Sequence, residues 1–86
     1  MKEFRWRQDA AGQWRPEWRP LGLGMVRLRE FFQQVREQSF QGPIQLHFEH
    51  PPGGAEEGRR PLTGSPILVR DAMRRDLHQL RRALAP

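Results

Sequence analysis

The sequence predicts an α/β fold assembled from βα units, and three observations carry the prediction. Two short runs, KEFRWR at 2–7 and IQLHFE at 44–49, alternate apolar with polar residues, the period of a half-buried strand. Two longer runs, at 26–39 and 66–84, space their apolar residues at helical intervals. Strand and helix therefore alternate along the chain, the order that builds a parallel sheet.

In the first strand Phe4 and Trp6 oppose Glu3, Arg5 and Arg7. It leads into residues 8–25, QDAAGQWRPEWRPLGLGM, a turn-rich connection punctuated by proline and glycine. Trp14 and Trp18 flank a hairpin-like excursion there, and a short strand is expected at 18–22. The helix over 26–39 rests on Leu28, Phe31, Phe32 and Val35 at i, i+3, i+4 and i+7. Arg29, Glu30, Gln33, Gln34, Arg36 and Glu37 fill its other faces. Gly42 and Pro43 end it. In the strand 44–49, Ile44, Leu46 and Phe48 share one face and Gln45, His47 and Glu49 the other. Residues 50–65, HPPGGAEEGRRPLTGS, read as a loop, of a length that often marks a lid or binding loop. The last helix, 66–84, has Ser65 to cap it and Pro66 at its first position. Val69, Met73, Leu77, Leu80 and Leu84 form its apolar stripe, and Arg81 and Arg82 suit the negative end of its dipole.

At 86 residues the chain holds one small domain and little more. It has no cysteine, which excludes disulfides and thiolate metal sites. No apolar run approaches the roughly 20 residues of a membrane span. The charged start, MKEFRWRQD, lacks the apolar centre of a signal peptide, so a cytoplasmic location is expected. The formal charge of +5, with 15 Lys and Arg against 10 Asp and Glu, is compatible with anionic ligands or nucleic acid. The arginines lie near acids and glutamines, as on a solvated surface. The stretch FRWRQDAAGQWRPEWRP offers a nucleic-acid reading, since aromatics interleaved with arginines stack bases and track phosphates. Asp9 and Glu17 interrupt it, and the rings serve equally to pack under a long loop. A third reading is an interaction module, because a partial sheet leaves open edges.

In a parallel barrel each strand turns one face to the outer helices and the other to the interior. The apolar side of 44–49 suits the first, and Glu49 would then stand at the mouth where barrel enzymes keep their chemistry. At these residues the chain resembles a family. The order KEFRWR, then WRPLGLGMV, a helix with paired Phe31 and Phe32, Gly42-Pro43 and a strand ending in His-x-Glu is similar to the C-terminal portion of the sugar phosphate isomerase/epimerase family, whose members are xylose isomerase-like TIM barrels. The likeness spans nearly all of this chain, which is about a third of the roughly 250 residues of a typical barrel.

The resemblance implies C-terminal βα units of a (β/α)8 barrel, two to three strands and two helices. Residues 2–7 would end the sixth strand, 18–22 give the seventh and 44–49 the eighth. It implies a metal-assisted isomerase or epimerase acting on a sugar or sugar phosphate, with Mn, Mg, Zn or Co as the divalent ion. Glu49 matches the eighth-strand carboxylate that ligates that metal and takes part in catalysis. His47 matches a polar position facing the mouth, as a substrate contact, a support for the carboxylate or simply an interior residue. Lys2 matches a substrate-polarising position. Arg59 and Arg60 fall in the eighth loop, where barrels often bind phosphate, or are a solvated pair. His50 and His78 read as loop and solvated residues, and GLG at 22–24 lacks the third glycine of a dinucleotide fingerprint. The chain departs from the family pattern at Glu3 (usually Asp), Leu23 and Arg27 (often acidic) and His50 (usually aromatic). The family's other ligands come from earlier strands, so this chain alone is expected to be inactive and to bind no metal. Self-association, or a partner chain, is expected to complete its sheet.

Overall fold

The structure, a computed structural model, describes residues 1–52, 58–62 and 64–85. Its regular elements are β1 (Glu3–Gln8), β2 (Trp14–Arg19), α1 (Leu28–Glu37) and α2 (Pro66–Leu84). The chain is thus a small α/β fold. The regular sheet is an antiparallel hairpin, with Glu3 opposite Arg19 and Gln8 opposite Trp14.

This corrects the expected short strand at 18–22. The second strand is six residues long and ends at Arg19. Residues 20–23 instead form a turn, closed by the Leu23 N–H donating to the Pro20 carbonyl, with Gly22 at φ 87°. That conformation admits glycine without strain. The β1–β2 connection is built by Asp9, whose Oδ1 accepts from the backbone N–H groups of Ala11 and Gln13, each at 2.9 Å. Gly12, at φ 81°, completes a turn in which the left-handed residue follows the bend.

The hairpin sorts its side chains. Opposed residues share a face, so Phe4, Trp6, Pro16, Trp18 and Trp14 collect on one side and Arg5, Arg7, Arg15, Glu17 and Arg19 on the other. Phe4 packs edge-on against both Trp6 and Trp18. Glu17 accepts from Arg5, Arg7 and Arg19, and Asp9 from Arg15. The interleaving of tryptophan and arginine seen in the sequence therefore does not persist on either face.

Residues 44–49 are extended but fall short of a regular strand. Among the described residues their backbone bonds to the N-terminal segment at Met1, whose amine donates to the Gln45 carbonyl at 2.6 Å and whose carbonyl accepts from the His47 N–H at 2.7 Å. One residue bonded to j−1 and j+1 of its neighbour is a step of parallel ladder. The alternation expected for this stretch holds: Ile44 and Leu46 pack on the core, while Gln45 and His47 are exposed.

The core is Leu21, Phe32 and Leu80, with Phe32 fully buried, and Leu28, Val35, Ala83 and Leu84 around it. α1 is shorter at both ends than the expected 26–39, while α2 matches 66–84 and is capped by Ser65, whose Oγ accepts from the Ile67 N–H. The stripe expected on α2 divides: Val69 and Leu80 are buried, whereas Met73 and Leu77 face outward. Among the described residues no helix is long and apolar enough to cross a membrane. The 50–65 segment forms no strand or α-helix in its described part; residues 53–57 and 63 of it lie outside the described residues.

Candidate functional site

Two carboxylates near the start of the sheet decide how the local chain folds. Glu3 is 2 % exposed and faces the 22–26 segment ahead of α1. Its Oε1 accepts from the Val26 N–H at 3.0 Å and its Oε2 from the Gly22 N–H at 3.3 Å. The turn at 20–23 and the approach to α1 are thereby tied to β1. A β-carbon at Gly24 would strike the Phe4 carbonyl and the Glu3 side chain, so only glycine permits this approach.

Glu49 ends the 44–49 segment on the opposite face. The parallel step at Met1 sets Lys2 beside it, and the Lys2 Nζ donates to Glu49 Oε2 at 3.0 Å. His47 Nδ1 stands 3.7 Å from Glu49 Oε1. The Lys2 ammonium also lies over the Trp18 ring, 3.9 Å from its centroid, a cation–π contact. A cleft of about 610 Å³ opens alongside, walled by Glu49, Trp18, Pro51, Arg7, Arg15 and Asp9. Three of the residues expected at the mouth, Lys2, His47 and Glu49, thus come together. Arg59 and Arg60 are exposed and do not line this cleft.

The hydrogen bond from Lys2 holds the Glu49 carboxyl below the ordinary carboxylate range, against a smaller opposing effect of desolvation. Asp9 is likewise lowered, first by its bond from Arg15. A carboxyl whose folded pKa is depressed contributes stability above its unfolded pKa and loses it as pH falls through the folded one. The Lys2–Glu49 and Arg15–Asp9 contacts are therefore complete at neutral pH and come apart only below the ordinary carboxylate range. In an NMR pH titration the Glu49 carboxyl is expected to titrate below an ordinary glutamate, and Lys2→Met to move its midpoint upward. An unchanged midpoint would show that Lys2 does not hold it.

The site was also tested for a divalent ion. Glu49 already gives one oxygen to Lys2, and the described residues contain no group of three or more His, Asp or Glu able to hold a metal. A catalytic divalent ion requires several oxygen or nitrogen ligands. The residues present do not fit a metal site by themselves.

Sequence reasoning passed over a second cluster. His50, read as a loop residue, is 3 % exposed. Its Nε2 lies 2.6 Å from Asp76 Oδ2, its Nδ1 lies 2.7 Å from the Pro51 carbonyl, and its ring packs on Phe48. Asp76 Oδ1 accepts from the Leu21 N–H at 3.1 Å and from Arg75 at 3.0 Å. The polar Asp76 within the buried line of α2 was the available signal, since a buried carboxylate demands partners. His78, expected to be solvated, is exposed.

No protein-family model, curated protein or solved structure matches the chain.

Proposed function

We propose that this chain is the C-terminal βα portion of a sugar or sugar phosphate isomerase/epimerase-like barrel, with the Lys2–Glu49–His47 cluster as its contribution to the substrate site. The observation that carries the reading is the convergence of those three side chains at the end of a segment that runs parallel to β1, beside an open cleft. The resemblance of the sequence assigns its polar mouth positions to these same residues. Their chemistry suits the reaction class. A lysine ammonium stabilises negative charge on a sugar oxygen, and a carboxylate within reach accepts a proton from the neighbouring carbon.

In this reading residues 1–8 and 44–49 are adjacent strands, so the first would be the seventh strand rather than the sixth expected from the resemblance, and β2 is an excursion of the loop that follows it. The metal chemistry of such enzymes needs ligands that the described residues do not bring, so the chain by itself is expected to turn over no sugar.

The test is an NMR titration with a ketose phosphate, read at backbone and side-chain signals. Shifts are expected to centre on Lys2, His47, Glu49 and the Trp18 indole, and to be lost in Glu49→Gln. No exchange of sugar C–H for solvent deuterium is expected from the chain alone. Shifts centred elsewhere, or unchanged in Glu49→Gln, overturn the reading.

A further inference from the structure

The 44–49 segment has two backbone edges, and among the described residues only one is bonded. The Gln45 carbonyl and the His47 N–H face Met1. Alternate residues of an extended chain point their N–H and C=O groups to opposite sides. Those of Leu46 and Phe48 therefore face away, and no described residue bonds to them. Such a row of unpaired groups is a template for another strand.

Leu46 and Phe48 also wall a groove of about 410 Å³, whose far side is Met73 and Leu77 of α2. Met73 is half exposed although it lies on the apolar stripe of its helix. Open edge and apolar groove thus share two residues, Leu46 and Phe48. A strand added to that edge would turn alternate side chains into the groove, the arrangement of β-augmentation. The rim is basic. Arg70 and Arg74 line it, while the acid on its wall, Asp76, is buried and bonded to His50 and Arg75; among the described residues Arg70 reaches only Asp71, at 4.0 Å, and Arg74 has no acidic partner. With a net charge of +5, a second copy is repelled from this rim, and an acidic chain is drawn to it.

We infer that the free edge of 44–49 and the Met73–Leu77 groove form a docking site for an extended strand of a partner protein, apolar at alternate positions and flanked by acidic residues. The inference stands on the edge and the groove and does not depend on the substrate cluster, which lies on the other face of the segment.

The experiment uses the whole chain and a short synthetic peptide that alternates valine with threonine between terminal aspartates. Saturable NMR shifts are expected at the Leu46 and Phe48 amides and at the Met73 and Leu77 methyls. The same peptide closed by lysines is expected to bind about tenfold more weakly, and Leu77→Glu to weaken the acidic peptide by about tenfold or more with circular dichroism unchanged. Arg74 is exposed, so Arg74→Glu leaves the fold intact and is expected to reverse the preference between the two peptides, which keeps the test decisive if Leu77→Glu unfolds. Absent shifts, shifts elsewhere or equal binding of both peptides overturn the inference. So does a concentration-dependent dimer that protects the Leu46 and Phe48 amides without peptide.

Discussion

Phe32→Ala is expected to remove a large part of the fold's stability in water at room temperature. Phe32 is 0 % exposed and is the largest member of a core whose other fully enclosed apolar residue is Leu21, with Leu80 close behind. Truncating a buried phenylalanine costs about 3–5 kcal/mol, part transfer and part cavity. A chain of this size has about 4–13 kcal/mol to lose, at roughly 0.05–0.15 kcal/mol per residue. Leu28, Val35, Ala83 and Leu84 pack around this core and would lose contacts with the ring. Phe31 is the internal control: it touches Phe32 edge-on but is half exposed, so Phe31→Ala is expected to cost far less. Urea unfolding of both variants decides the matter. A loss below about 1 kcal/mol for Phe32→Ala would mean that the core is not organised around this ring.

Asp76→Ala is expected to be nearly as damaging, for an electrostatic reason. One carboxylate receives Leu21 N–H, Arg75 and His50, and so fastens the 20–23 turn and the 50–52 segment to the middle of α2. Removing this buried carboxylate leaves the Leu21 N–H and the His50 ring without their partner, at about 1–3 kcal/mol for each buried group left unsatisfied. Asp76→Asn retains the shape and one acceptor, and is expected to fall between wild type and alanine. Equal urea midpoints for the aspartate and alanine forms would contradict the arrangement. Replacing His50 by a residue of like volume separates the packing on Phe48 from the bond to Asp76.

Much of this fold was legible because some signals are local. Ser65 and Pro66 mark the start of α2 by hydrogen bonding and backbone geometry alone, and both occupy the positions the sequence assigned them. The alternation in 44–49 foretold which side chains would meet the core. β2 was misplaced because Pro16 and Pro20 read as breaks. Counting in pairs from the Asp9–Gln13 hydrogen bond, Pro16 falls where its nitrogen points away from β1, and an edge strand tolerates proline there. The Lys2–Glu49 contact was half legible. Each residue was marked for the mouth, but their pairing depends on a single step of ladder between residues 44 or more apart in sequence. His50 and Asp76 carry no sequence signal of their partnership, since 26 positions separate them and only tertiary packing brings them together.

The glutamate at position 3 binds two amides on either side of one bend, and this makes the bend a shared hinge pin. Gly22 and Val26 cannot be released separately without leaving a charged oxygen stranded out of water. The base of the hairpin and the chain just ahead of α1 are therefore held by one side chain, and loosening either one strips the same buried carboxylate of a partner.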